Sequence, residues 1–427
     1  MPIVDTLSFD EWAPLPLLIM LCVALATFPK HRLFSLERSD YVLMTIICAG
    51  AIPYIWSYAY VEAKALHHVL AFATIIVFYY WVPRQCLVRL FSSRQGFRSV
   101  FKAVSVSTAG TALFVIVESI CRNIVHLDID ELIPHTSTHR YVAETFSGYI
   151  RARGWASEPA HTAIFFNMAL LMVGFYLDSR SKWIQALYYA IGLCALTLLF
   201  STMGFIAMFC SILLYLATRI SSRSKQTLTY VVTCLAVATI VVAFANQYVM
   251  DFVKNTMIVK AENLLVGGQM STSDVGRREA YRIVVEIAQK YPFGIGFGIT
   301  SAAANAGALY EGIAVIPGQI SLFGYLLVAG GFPALLLFLG FYYSKLRKAS
   351  KLPGLSARLL AIGFGLFLHY LFVTDQELPF LWFYLAVVDS LYRVRQNVPA
   401  FIAHGNVPFR RTALAGIWQQ TEPDVSG

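Results

Sequence analysis

The chain has 427 residues, of which 58% are apolar and only 13% charged, with a formal net charge of +9. Soluble globular domains carry roughly a quarter charged residues, and none could hide this much apolar surface. The composition therefore specifies a polytopic membrane protein and makes the basic excess a topology signal first. Nothing resembles a nucleic-acid module or an aromatic–basic ladder, so nucleic acid is excluded as a partner.

The chain begins MPIVDTLSFDEW, with Asp5, Asp10 and Glu11 and no basic residue. A cleaved secretory signal would begin with a positive region, so the first apolar segment is expected to be a permanent span. A bilayer-crossing helix needs about 20 apolar residues, and about 11 such segments follow one another. They centre near Met20, Ile47, Ile75, Ala112, Leu170, Gly192, Cys210, Val237, Ala329, Leu366 and Ala386. Cys22, Cys48, Cys86, Cys121, Cys194, Cys210 and Cys234 lie in or beside these segments without a CxxC or Cys/His spacing. Neither a disulfide framework nor a metal site is expected.

Basic stretches fall between alternate segments: Lys30/Arg32/Arg38, Arg84 to Lys102, Arg180/Lys182, Arg219/Arg223/Lys225, Lys345 to Arg358, and the tail from Arg393. Roughly 22 of the Lys and Arg residues but only about 6 of the acids fall on this side, which the positive-inside rule makes cytoplasmic. The N-terminus is then outside, and residues 393–427 form a cytoplasmic tail. The chain reads as one polytopic domain over 1–427 with two long outer loops, 125–159 and 250–319. Long loops in compact proteins are functional or disordered.

Both outer loops are rich in arginine, which the positive-inside rule disfavours there. The first ends Arg151-Ala-Arg153-Gly154-Trp155-Ala-Ser-Glu158-Pro159-Ala-His161, directly before a span. Pro159 fits a first helical turn, with Ser157 or Glu158 near the cap. A helix N-terminus beside two guanidinium groups suits an anion, while anchoring in lipid headgroups is the competing reading. The second loop carries Ser273-Asp274-Val-Gly-Arg277-Arg278-Glu-Ala-Tyr-Arg282. Ala280, Ile283, Val284 and Ile287 recur at helical spacing, which predicts an amphipathic surface helix capped by Ser273 or Asp274 and stopped by Pro292 and Gly294. Arg278 and Arg282 share one face of it, and a solvated basic face is the alternative. Gly294-Ile-Gly296-Phe-Gly298 lacks the strand–turn–helix context of a dinucleotide fingerprint and reads better as a close-packing turn. Ser201-Thr-Met-Gly204 reads as a tight outer turn. Glu118 and Arg122, four apart, are expected to pair, and His369 is expected to be a packed, hydrogen-bonded core histidine.

Taken together, RARGWASEP before a span, the turn STMG, GRREAYR…YPFGIGFG, and a span with Gly330-Gly331 resemble the O-antigen polymerase and O-antigen ligase superfamily. The resemblance covers about residues 150 to 340. It implies an all-α integral membrane protein of GT-C-like glycosyltransferase architecture in the bacterial inner membrane, with both long loops periplasmic. It implies an undecaprenyl-diphosphate-linked oligosaccharide as substrate, membrane lipid as surroundings, and a place for a chain-length regulator protein as partner. No cofactor or metal is expected. Arg151 or Arg153 and Arg277, Arg278 or Arg282 would meet at the substrate diphosphate, and Glu158 and His161 are the candidate bases. Ligases of the superfamily carry a histidine shortly before the span after the second loop. Here that stretch reads Ile316-Pro-Gly-Gln319-Ile-Ser321, and no histidine lies between His161 and His369. This favours a polymerase over a ligase. A lipid-linked oligosaccharide flippase or transporter is the remaining alternative, although no internal repeat stands out.

Overall fold

The computed structural model describes residues 22, 36–53, 63–127, 129, 145–146, 149–156, 158–220, 282–297, 321–372 and 378–403. The expected spans near Met20 and Val237, together with Arg277 and Arg278, lie outside them. Every other expected span centre falls in a helix.

In chain order the helices are α1 (Arg38–Ala51), α2 (Ala63–Ile75), α3 (Val82–Phe91), α4 (Arg94–Ile120), α5 (Pro159–Leu177), α6 (Lys182–Leu198) and α7 (Thr202–Ile220). They continue with α8 (282–290), α9 (Leu322–Ser350), α10 (Ser356–Tyr370) and α11 (Pro379–Ala403). The helices over His68–Phe91, Arg94–Val125, Pro159–Leu177 and Leu322–Ser350 are long and apolar enough to cross a membrane. Shorter apolar helices cover Thr202–Thr218 and Ser356–Tyr370. The chain is thus an all-α, multi-pass membrane protein. Its described strands are one hairpin in the first loop, Thr145–Phe146 paired antiparallel with Tyr149–Ile150.

Local chemistry sets the helix ends and irregularities. Between α2 and α3 the helix widens into a π-turn, Ile76–Trp81. Pro83 follows at the start of α3. A proline ring clashes with the carbonyl one turn back and donates no N–H, and the wider turn accommodates both. Ser93, Ser181, Ser201 and Ser321 accept N–H groups at the starts of α4, α6, α7 and α9. The helix from Arg94 to Val125 has 32 residues, about 48 Å at 1.5 Å per residue, so it extends past a hydrocarbon core of about 30 Å. It ends at His126 in the left-handed region.

α5 is buried on nearly every face, as expected of a helix apolar all round at the centre of a bundle. It packs against α4, α6, α7, α10 and α11. α9 lies along α1 and is broken midway at Gly331, φ 67° and ψ −162°, just before Pro333.

At one end of the bundle a buried ionic network joins α1, α3, α9 and α11. Arg84 grips Asp40 with two bonds, Nη1–Oδ1 at 2.7 Å and Nη2–Oδ2 at 2.8 Å. Lys345 donates to Asp389 at 2.6 Å and to the Tyr80 hydroxyl at 2.7 Å. Tyr80 donates to the same Asp389 oxygen. Lys348 bridges Asp389 and Glu37, each at 2.7 Å, and Arg393 pairs with Glu37. Close by in sequence terms, Arg358 of α10 grips Asp178 after α5 at 2.5 and 2.7 Å. Segments expected on one membrane side are therefore gathered together. The sequence reading is corrected in one respect: Arg84 and Lys345, grouped with the loop cations, are fully buried within helices and paired. Each acid sits on a different helix from its base, so linear spacing could not show the pairing.

Removing one member of a buried ion pair strands the other in a low-dielectric interior, at a cost of about 3–5 kcal/mol. Asp389→Asn or Lys345→Met should each lower unfolding stability in lipid by that order. The Lys345→Met/Asp389→Asn double substitution should lose less than the two single losses added together. Additive losses would show that the pair is not energetically coupled.

Candidate functional site

The first arginine motif forms a turn wedged between the end of α4 and the α6–α7 connection. Ile150 N–H donates to Asn123 Oδ1 at 2.7 Å, and Asn123 Nδ2 returns a bond to Ile150 O at 2.9 Å. Tyr149 and Ser119 share a hydrogen bond, and the Tyr149 ring packs on Phe200. Burial raises the Tyr149 phenol above its ordinary pKa; the Ser119 bond opposes this and the Glu118 charge adds to it. Ala152 N–H donates to Leu198 O at 3.3 Å, and Arg151 Nε donates to Leu199 O at 3.2 Å. The α6–α7 turn that accepts these bonds leads straight into the STMG motif. Phe200 there has φ 47°, and Ser201 Oγ accepts Gly204 N–H at 3.2 Å. Gly204 lies so close to α5 that a side chain on it would meet Ala163 Cβ at 2.7 Å. The arginine turn is therefore bonded to Leu198 and Leu199, just ahead of the STMG motif.

Arg153 is buried and Arg151 half-buried. Gly154 takes φ 70°, and a Cβ on it would meet Thr162 at 3.0 Å and Val115 at 3.1 Å. The left-handed conformation and this close approach make glycine the fitting residue. Trp155 stacks on Phe114 with ring centroids 3.6 Å apart. Thr162 Oγ1, one turn into α5, donates to Arg153 O at 2.5 Å.

Glu158 occupies the N-cap position of α5 and Pro159 is its first residue, but the Glu158 side chain makes no capping hydrogen bond. The expected supply of free N–H groups is smaller than the sequence suggested. Pro159 has none, His161 N–H is given to Glu158 O at 3.1 Å, and the N–H groups of Arg153 and Gly154 go to the Glu118 carboxylate. The two candidate bases differ in access. Glu158 is exposed at the rim, whereas His161 is buried beneath it, within electrostatic reach of His369. His369 is fully buried on α10 and its Nδ1 lies 2.9 Å from Asn167 Nδ2 of α5, so it is the packed, hydrogen-bonded histidine expected.

In the second loop, residues 282–290 form a helix with Ile283, Val284, Ile287 and Ala288 buried. Arg282 and Glu286, both more than half exposed, form an i,i+4 ion pair at 3.1 Å. The amphipathic helix and its stop at Pro292 are as the periodicity predicted. The glycine run after it is a close-packing turn. Ile295 N–H donates to Val328 O at 2.8 Å and Gly296 N–H to Ala329 O at 2.9 Å, at the point where α9 breaks. Phe332 N–H donates to Pro292 O at 2.9 Å from the other side of the break. A Cβ on Gly331 would meet Phe293 backbone at 2.6 Å, and one on Gly294 would meet Gly331 N at 2.6 Å. Phe297 is fully buried, stacks on Phe72 with centroids 5.2 Å apart, and donates its N–H to Gly50 O at 3.2 Å. Residues 292–297, the described part of the second loop after its helix, are thus pinned into a broken helix. The sequence showed both glycine pairs but not that they interlock.

The polar groups that hold the first turn, the buried Glu118 and Ser119 and the half-buried Asn123 and Tyr149, were missed as site residues. The available signal was Glu118 and Asn123 in an otherwise apolar helix end.

Gly331→Ala should cost at least about 2 kcal/mol, because it combines a positive φ with a steric clash. Gly340→Ala, with open space around it, should be neutral or stabilising. Thermal unfolding in lipid measures both, and an unaffected Gly331→Ala would rule out the pinned break.

Residues 187–339 match the family model described as O-antigen ligase. The match takes in most of α6, α7, the second arginine loop and the break at Gly330-Gly331, while the RARGWASEP turn and α5 lie outside it, on its N-terminal side. No curated protein matches the chain. About a third of the chain, residues 187–339, is thus similar to a family of the O-antigen polymerase and ligase superfamily.

Proposed function

We propose that this protein is an O-antigen polymerase. It transfers a growing glycan from undecaprenyl diphosphate to the terminal sugar hydroxyl of an incoming lipid-linked repeat unit, at the periplasmic face of the bacterial inner membrane. The observation that supports the reading is that the turn carrying Arg151 and Arg153 is hydrogen-bonded to the α6–α7 connection, which leads into the STMG motif within the matched residues. Arg277, Arg278 and Arg282 of the second loop complete the anion site. The overall arrangement is of GT-C-like type, with the buried ionic network on the cytoplasmic side.

In the reaction the acceptor hydroxyl oxygen bonds to the anomeric carbon as the bond to the diphosphate oxygen breaks. The hydroxyl proton passes to a base and the lipid diphosphate leaves with the electron pair. Guanidinium groups neutralise charge as it builds on the departing oxygen, in a partly dehydrated site where such contacts are strong. A single in-line displacement inverts the anomeric configuration, and no metal is required. Glu158 is better placed than His161 to take the proton, since it is exposed at the rim while His161 is buried. A chain-length regulator is the natural protein partner of a polymerase.

The ligase reading, transfer of the glycan to lipid A-core, is favoured by the description of the matching family. The absence of a histidine before the α9 span weighs against it. A flippase would need charged residues along mid-span helix faces. A deletion strain separates the three. Loss of a polymerase leaves core capped by one repeat, whereas loss of a ligase or flippase leaves no repeat attached.

Arg151→Ala and Arg277→Ala should abolish ladder formation by purified protein supplied with undecaprenyl-diphosphate repeat units and a chelator, with membrane insertion intact. Lysine at either position should restore little, because it cannot make a bidentate phosphate contact. A full-length ladder from the double alanine variant would eliminate the arginine site.

A further inference from the structure

The turn that carries Arg151 and Arg153 has no regular secondary structure of its own, so whatever fixes its backbone decides where the guanidinium groups point. We propose that Glu118 is the positioning residue for this arginine pair, clamping the turn through its backbone; this rests on the diphosphate reading above. Glu118 projects from the last turn of α4 and is 1% exposed. Its Oε2 accepts Gly154 N–H at 2.7 Å and Arg153 N–H at 3.1 Å. Its Oε1 accepts Arg153 N–H at 3.2 Å and pairs with Arg122 Nη2 at 3.1 Å.

Two consecutive N–H groups converge on one carboxylate because Gly154 is left-handed. Successive N–H groups in such a turn form an anion-binding concavity, and here the occupant is the protein's own carboxylate. Hydrogen bonds to an ionised acceptor in a dry environment are short and strong. Arg122, 4% exposed, neutralises the buried charge. With the N–H groups of Arg153 and Gly154 bonded to Glu118, the turn that carries the two arginines is tied to the end of α4. On the α5 side, Thr162 closes the clamp by donating to Arg153 O.

Glu118→Gln preserves length but places a donor NH₂ where two N–H groups and a guanidinium already converge. Glu118→Asp preserves charge but withdraws it by about 1.5 Å, one carbon–carbon bond. Full-length protein in lipid nanodiscs is titrated with undecaprenyl diphosphate, with Trp155 fluorescence as readout, and assayed for ladder formation. The dissociation constant per folded molecule does not change when the folded fraction falls, so it separates positioning from loss of fold. Glu118→Gln should weaken binding tenfold or more and lower kcat with little change in the acceptor KM. Glu118→Asp should recover only part of the loss. Gly154→Ala leaves Glu118 and Arg122 in place, displaces the converging N–H groups, and should weaken binding comparably. Wild-type affinity in Glu118→Gln, or in Gly154→Ala where Glu118→Gln does not fold, overturns the positioning role. No binding by the wild-type protein overturns the diphosphate reading and the inference with it.

Discussion

A polar backbone group inside an apolar bundle has no water to turn to, and each one left unsatisfied costs several kcal/mol. The structure meets this constraint most visibly where α9 breaks at Gly331. The freed carbonyls of Val328 and Ala329 are taken by Ile295 and Gly296, and Phe332 N–H is taken by Pro292. Because residues 292–297 satisfy the break, they cannot hang free. They are drawn into the bundle, and Phe297 is buried against Phe72 and Tyr325. The backbone of residues 292–297 is therefore placed by the hydrogen-bonding demand of a broken helix.

The first arginine loop obeys the same rule by other means. Its turn spans helix ends whose backbone groups are already used, so the turn's own groups are met by side chains and by the α6–α7 turn. Asn123 takes both groups of Ile150, Glu118 takes the N–H groups of Arg153 and Gly154, and Leu198 takes Ala152. Two irregular segments rich in arginine are each tied to rigid helices. Preorganisation of this kind is what electrostatic stabilisation of a leaving group requires, since no reorganisation energy is then spent during the reaction.

The opposite end of the bundle is held by charge. Arg84, Lys345 and Lys348 are matched against Asp40, Asp389 and Glu37 across four helices. Each bond has direction and register, which sliding apolar helices lack. α1 and α9, fastened together there, also meet at Gly50 and Gly330, where the second loop enters. One helix pair thus links the ionic end to the pinned loop.

Much of this was legible in the sequence. Composition fixed the membrane class, hydropathy placed the helices, Pro159 and Glu158 marked the start of α5, and the Ile283, Val284, Ile287 spacing gave the surface helix. Those features are local, and periodicity or capping chemistry reports them directly. The pairing of Glu118 with Arg122 was visible for the same reason, four residues apart on one helix. Its second task, holding a turn 35 residues further on, was not. Nor was the interlock of Gly294 and Gly296 with the break in α9, the contact of RARGW with the α6–α7 turn, or the burial of Arg84 and Lys345 as ion pairs. Each of these joins groups distant in the chain, and hydropathy carries no information about which polar group satisfies which. The sequence by itself determined that the chain is a helical membrane protein with two arginine-bearing loops. Only the tertiary structure decided how the described parts of those loops are held, because in a water-poor interior every buried donor and acceptor must find a partner in the folded chain.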